Sequence, residues 1–383
     1  AHSYFVIFTK DPETGLYSIR FERGPERKAV NKVYGTALVD PSSLNGDVLL
    51  MGGIIGTNNL DIGPGKVFVQ GASIAASLER WKAPTSQQSA QGINWKNDSS
   101  WTFEEDFLAR IDEDILIKSQ DIVNGKVKNL PLKNKFVKQS SYLGRYGKRA
   151  MEQAVILPTK EILVVNGGNY AEVRPVYNPT LLIPDSKNGH QGFRTKLMNP
   201  DVEPRVYHNS ALLLPDARVL VLGGNNSRAF RYDVDGKVYL DTKNDFEFVE
   251  KGSFGNSGEI WQHAIFYPPY LFGESVRPEI IAGADKLKYG ESQTISVANV
   301  STNLENQGSL VLIKFGSGTH SFDNGQKLID LKFSISSRTD ESVSSIEFTT
   351  PSKDEFVPPG YYMLFYINSE GKPSHAKIVQ LKL

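Results

Sequence analysis

Tyr207 and His208 stand side by side in the run Arg205-Val206-Tyr207-His208-Asn209-Ser210, and His320 follows far downstream in Gly316-Ser317-Gly318-Thr319-His320-Ser321. A phenol and two imidazoles form a metal-binding donor set. Imidazole nitrogen suits copper, and a tyrosinate oxygen can complete a tetragonal Cu(II) site. Against this the chain has 0 cysteines, which rules out disulfides and thiolate sites and decides nothing about redox compartment. His2, His190, His263 and His375 share no metal-like spacing and read as surface or hydrogen-bonded residues.

The elements that would position these groups read as β-strands. An imperfect repeat recurs: a small or polar entry, an apolar run, a turn, a second apolar run and a glycine pair. One copy runs from Tyr34-Gly35-Thr36-Ala37 through Asn45-Gly46 to Leu50-Met51-Gly52-Gly53. A second runs from Glu152-Gln153-Ala154-Val155 to Val165-Asn166-Gly167-Gly168, and the clearest from Ser210-Ala211-Leu212-Leu213 to Val221-Leu222-Gly223-Gly224. A fainter copy without glycines spans Asp106-Phe107-Leu108 to Ile115-Leu116-Ile117. Apolar strands followed by paired glycines fit the inner strands of β-propeller blades, where the glycines let backbones approach near the axis. A β-sandwich with similar hairpins is the alternative.

Pro268-Pro269 to Pro278 mark a boundary. Beyond it, short strands at 293–297, 310–315, 327–331 and 361–367 read as an immunoglobulin-like sandwich of about 100 residues. The expected division is 1–272 for the propeller and 273–383 for the sandwich. The chain has 383 residues with 43 basic and 43 acidic ones, a formal net charge of zero that advertises neither nucleic acid nor an anionic membrane as partner. No run approaches the roughly 18 apolar residues of a membrane span. Ala1-His2-Ser3-Tyr4 lacks a signal-peptide core, so a targeting segment is either absent or already removed. Sequons at Asn97, Asn225 and Asn299 would permit glycosylation in a secreted protein.

The run from Arg205 to Asp216 resembles the tyrosine-histidine segment of the galactose oxidase and glyoxal oxidase family. The run Phe315-Gly316-Ser317-Gly318-Thr319-His320-Ser321 resembles that family's second histidine loop. Pro268-Pro269-Tyr270-Leu271-Phe272 with Arg277-Pro278 resembles its interdomain junction, and Pro359-Gly360-Tyr361-Tyr362-Met363 its last hairpin. The resemblance is ordered from about Met151 to Leu383 and faint upstream. It implies a seven-bladed kelch-type propeller, whose axial channel receives a hairpin of the sandwich bearing the second histidine. It also implies one copper ion held by Tyr207, His208 and His320, Tyr207 as base for the substrate hydroxyl, and oxidation of a primary alcohol, aldehyde or carbohydrate by dioxygen to give hydrogen peroxide. A secreted or cell-surface location is the expectation.

The sequence departs from that pattern in two ways. Family oxidases join a tyrosine to a cysteine in a thioether that carries the radical, and this chain cannot make that bond. Tyr34 is the best candidate for the remaining equatorial tyrosine. An alternative register puts Val33 or Tyr34 at the position of the missing cysteine and leaves Trp101-Thr102-Phe103 where the phenol should stand. Trp81, Trp95, Trp101 or Trp261 could shield a radical by stacking, though none has a matching motif. Blades of roughly 40–50 residues fit only about five or six times before the sandwich, so either a blade is lost or an N-terminal piece lies outside this chain. Oxidase turnover is therefore expected to be weak or absent. A non-catalytic propeller binding glycan or protein, with a residual metal site, is the competing reading.

Overall fold

A computed structural model of the chain describes residues 2–27, 32–55, 73–85, 87, 92–110, 113–114, 120–123, 126–129, 148–170, 173–187, 191–225, 231–232, 238–239, 260–300, 307–338, 343–352 and 357–383. The fold is all-β. Among the described residues no helix is long and apolar enough to cross a membrane.

An N-terminal hairpin pairs β1 (His2–Lys10) with β2 (Tyr17–Glu26). The first repeat forms a four-stranded antiparallel sheet from β3 (Thr36–Val39), β4 (Val48–Met51), β5 (Leu78–Lys82) and β6 (Ser100–Glu104). The second forms β7 (Gln153–Ile156), β8 (Ile162–Val165), β9 (Thr180–Pro184) and β10 (Phe193–Leu197), with Glu113–Asp114 added in parallel beside β10. The third forms β11 (Tyr207–Leu213), β12 (Val219–Asn225) and β13 (Ala264–Phe266).

These sheets stack in series. Leu38, Leu49 and Leu78 of the first meet Ala154, Ile156, Ile162 and Val164 of the second. The other face of the second sheet, Val155, Leu163 and Leu181, meets Ala211, Val219 and Val221 of the third. Burial on both faces explains why β7 and β8 read as unbroken apolar runs rather than as alternation. The faint copy does not hold as a strand at its start: Phe107–Ala109 is a 3₁₀ turn, with Phe107 and Leu108 plugging the first interface. Its second half, 115–117, lies outside the described residues.

The C-terminal region is a two-layer sandwich. One layer orders β14 (Glu279–Gly283), β16 (Ser292–Ala298), β22 (Val343–Thr349) and β21 (Phe333–Arg338). The other orders β15 (Lys286–Lys288), β24 (Lys377–Lys382), β23 (Gly360–Ile367), β17 (Ser309–Lys314) and β20 (Leu328–Leu331). Ile295, Val297, Ile346 and Phe348 pack against Leu310, Leu312, Tyr362 and Leu364 between the layers. β23 is buried from Tyr362 to Ile367 because its outer face also packs: Met363 and Phe365, with Val311 and Ile313, close on Leu213 and Ala217 of the third sheet. A small hairpin, β18 (Gly318–Thr319) and β19 (Phe322–Asp323), leaves this layer toward the inner strands β3, β7 and β11.

Candidate metal centre

β11 begins at Tyr207, so Tyr207 and His208 lie inside a strand. Alternation alone would send their side chains to opposite faces. The irregularity sits at His208 itself, whose φ of 57° is left-handed. Its imidazole stacks on Tyr207, with ring centroids 3.7 Å apart and planes 27° from parallel. Tyr207 is buried and His208 exposed.

Asn209, which sequence reasoning passed over, anchors this departure. Its Nδ2 donates to the Met151 carbonyl at 2.7 Å and also to the Val206 carbonyl. Its Oδ1 accepts from Asn166 Nδ2 at 2.8 Å, and its own carbonyl accepts from Gln153 Nε2 at 3.2 Å. A buried amide satisfied on this many sides has one conformation available.

The geometry has an origin in the repeat. Thr36, Gln153 and Ser210 pair with Met51, Val165 and Leu222 at equivalent places in their sheets. Two residues earlier stand Tyr34, Met151 and His208, with φ values of 55°, 65° and 57°. Each inner strand thus starts from a left-handed residue, held opposite a left-handed pair at Gly52-Gly53, Asn166-Gly167 or Gly223-Gly224. Met151 donates its N–H to the Tyr34 carbonyl at 2.9 Å, linking one repeat to the next. The Tyr34 ring meets Tyr207 edge-on at 6.4 Å. Arg149 braces the same region: its Nη1 donates to the Val164 carbonyl at 3.3 Å and its Nη2 to Thr180 Oγ1 at 2.9 Å. Burial pulls its guanidinium down to about 10, against the opposing charge of Glu152.

His320 arrives on the β18–β19 hairpin. Gly318 pairs with Asp323 and Thr319 with Phe322, so His320 and Ser321 form a two-residue turn. Both have positive φ, 49° and 68°, the condition of a type I′ turn. Gly316 and Gly318 precede that tip and serve close packing instead. A Cβ on Gly318 would stand 3.0 Å from Ser210 Oγ, and one on Gly316 would stand 2.3 Å from Asp323 Oδ2. They let the hairpin lie against β11 and close over the Asp323 carboxylate, which accepts the N–H groups of Ser317, Gly325 and Gln326. Gln326 then fastens the hairpin to the free edge of β7. Its Nε2 donates to the Ala154 carbonyl at 2.6 Å, and its Oε1 accepts the Ile156 N–H at 2.8 Å, so the carboxamide imitates a neighbouring strand.

Tyr207, His208 and His320 therefore meet. His208 Nε2 lies 3.0 Å from His320 Nε2, with the rings nearly perpendicular at 88°. The Tyr207 ring is edge-on to His320 at 5.9 Å. Thr319 Oγ1, 2.8 Å from His320 Nδ1, fixes the far side of that imidazole. Two nitrogens at this separation can both reach one ion through bonds of about 2.0 Å in a cis arrangement. Among the described residues no group of three or more His, Cys, Asp or Glu is placed to hold a metal ion, and the phenol of Tyr207 is the donor beside the two imidazoles. The donor set fits a copper ion. Trp81 and Trp95 stack with each other and meet Phe5 at a tilt, Trp101 donates to Ser3 Oγ, and Trp261 is 82% exposed. His190 lies outside the described residues.

The glyoxal oxidase N-terminus family model matches residues 145–243, and the galactose oxidase-like early-set domain model matches residues 277–381. Over both segments this is a galactose- and glyoxal-oxidase-like chain. It is 31% identical over 241 residues to the aldehyde oxidase GLOX of Vitis pseudoreticulata, a match covering 61% of this chain and 41% of that protein. It is 28% identical over 247 residues to a galactose oxidase of Gibberella zeae, covering 62% of this chain and 30% of that protein. The galactose-oxidase-like chain thus spans less than half the length of these curated relatives. Among solved structures, a fungal alcohol oxidase of the AA5 family in complex with copper superposes with a TM-score of 0.56 at 18% identity, over 95% of this chain and 57% of that one. At that identity the likeness speaks for the fold.

Proposed function

We propose that this chain is a copper-binding, galactose/glyoxal-oxidase-like protein. His208 and His320 would hold the metal through Nε2 with Tyr207 as phenolate donor. The observation that carries this is the 3.0 Å approach of the two Nε2 atoms, from residues 112 apart, beside the Tyr207 ring. The antiparallel sheets stacked in series, each entered through a left-handed residue at the same inner position, support a kelch-type propeller over 1–272. An immunoglobulin-like domain over 273–383 would feed His320 into its axis.

Bound copper would supply an electrophilic site and a one-electron acceptor. Tyr207 would take the hydroxyl proton of a primary alcohol or hydrated aldehyde at its phenol oxygen, dioxygen being reduced to hydrogen peroxide. Exposure of both imidazoles leaves the site open to a small substrate or a sugar. Tyr34, edge-on to Tyr207, is the candidate second phenol. Without a cysteine it remains an ordinary tyrosine, harder to oxidise than a thioether-substituted one. The oxidase turnover of this chain alone is accordingly weak or absent, and the absence of cysteine also favours the second reading, a secreted scaffold that binds glycan or protein through a metal-bearing propeller.

The test pairs two measurements. Copper(II) titration followed by electron paramagnetic resonance should give a one-equivalent type-2 signal that His208→Ala abolishes; an unchanged signal in the variant overturns the metal assignment. A peroxide-coupled assay on primary alcohols and aldehydes should read near background, and robust turnover overturns the view that the missing thioether limits this chain.

A further inference from the structure

The β1–β2 hairpin stands on the rest of the molecule by one face. On that face Phe5 packs against Trp81 at 5.8 Å and Trp95 at 5.5 Å, and Ser3 Oγ accepts from Trp101 Nε1. The register sets Tyr4 opposite Arg23, Val6 opposite Phe21, Phe8 opposite Ile19 and Lys10 opposite Tyr17. The pleat therefore gathers Tyr4, Val6, Phe8, Tyr17, Ile19 and Phe21 on the other face. Their exposures are 63, 49, 62, 65, 57 and 72%, and Leu16 beside the turn is 71% exposed.

This face departs from what a solvated strand requires. β2 alternates apolar Tyr17, Ile19 and Phe21 with polar Ser18, Arg20 and Glu22, a pattern that encodes one covered face. In the single chain the apolar face is the uncovered one. Exposed aromatics of this size contribute roughly 100–160 Å² each at about two-thirds exposure. With Val6, Ile19 and Leu16 the patch reaches roughly 700 Å², above the 300–600 Å² of a typical monomer's largest patch.

We propose that this face is a homodimer interface and that its occupant is the same face of a second copy of this chain. The area argues for that occupant: roughly 700 Å² per copy matches the roughly 800 Å² per partner that a stable complex buries. A two-stranded hairpin alone is marginal, and an isologous partner turns it into a two-layer sandwich without requiring any other surface. The aromatic residues, spread along its length, supply the anchors that dominate such interfaces.

Sedimentation velocity at micromolar concentration should show a dimer. Phe21→Glu, which puts a charge at the centre of the face, should raise the dimer dissociation constant at least 100-fold while melting like the parent. Leu44→Glu, on an exposed turn of another sheet, should leave it unchanged. Because the chain has 0 cysteines, Ile19→Cys offers a single attachment point. A short bis-maleimide should link it into a covalent dimer and leave Leu44→Cys monomeric. A parent that sediments as a monomer throughout, a Phe21→Glu protein that still dimerises, or a monomer that instead binds lipid vesicles through this hairpin would each overturn the proposal.

Discussion

His208, Tyr34, His320 and Ser321 all carry positive φ without being glycine. For an L-residue each such backbone costs about 1–2 kcal/mol. That cost persists because Asn209 and the hairpin turn fix the chain around it, and what it secures at His208 is an imidazole turned toward Tyr207 and His320. Two replacements separate the backbone from the side chain. His208→Ala should lose copper and keep the strain, whereas His208→Gly should lose copper and relieve it. In thermal melts of the metal-free proteins the glycine variant should be the more stable of the two by about 1 kcal/mol; equal melting would mean the backbone there is unstrained. Thr319 is a positioning residue of a different kind. With Nε2 facing a metal, Nδ1 must carry the proton and donate it to Thr319 Oγ1, 2.8 Å away. Thr319→Val should weaken copper binding about 10- to 100-fold with an unchanged melting temperature, read by competition against a chelator, and Thr319→Ser should restore most of it.

At the scale of elements, the β18–β19 hairpin is held by few contacts that matter out of proportion to their number. Gln326 is the clearest, because it satisfies an N–H and a carbonyl of β7 together. Gln326→Ala should leave that edge unpaired and cost about 1–3 kcal/mol, and it should also lower copper affinity by letting His320 drift from His208. A variant that melts lower yet binds copper like the parent would show that the hairpin is positioned elsewhere. This logic was only partly legible in the sequence. The paired strands of the repeat could be read because unbroken apolar runs between turn residues have few other structures open to them. Tyr207, His208 and His320 could be singled out by residue type, but their convergence depends on left-handed backbone at non-glycine positions, which no periodicity signals. Gly316 and Gly318 were ambiguous in the sequence for a related reason. A glycine in a sequence announces either a turn or a close approach, and here it was the approach to Ser210 and Asp323. Strands β21 and β22 escaped notice because their serine- and threonine-rich segments lack a strong apolar signal, and β14 because its five residues carry only a short apolar stretch just after Pro278.

At the scale of the molecule, the third repeat sheet and the sandwich act as one body, since His320 must reach a site built by β11. Val311, Ile313, Met363 and Phe365 pack over Ala217 and Leu213, and polar groups rim this apolar seam. Arg277 Nη2 donates to the Asp216 carbonyl at 2.6 Å and to the Ser374 carbonyl at 3.1 Å, while Nε donates to the Pro373 carbonyl at 3.0 Å. The Asp216 carboxylate accepts from Arg218 Nε at 2.7 Å. Burial alone would raise this carboxyl; hydrogen bonds from the Arg218 side chain and backbone, with the charges of Arg218 and Arg277, more than offset that and hold it below its usual 3.8. A carboxyl with a depressed folded pKa contributes stability that is complete above the unfolded value and fades as pH falls through the folded one. The contribution here is up to about 1 kcal/mol, since the pair is partly exposed. Asp216→Asn should therefore melt below the parent at neutral pH, and the gap should close as pH falls below the ordinary carboxyl value of 3.8 and the parent's carboxylate protonates. Because the seam carries His320, copper release on acidification should begin at higher pH in the variant than in the parent. A gap that stays constant down to the lowest pH would assign the loss to packing at the seam, with no part played by the charge.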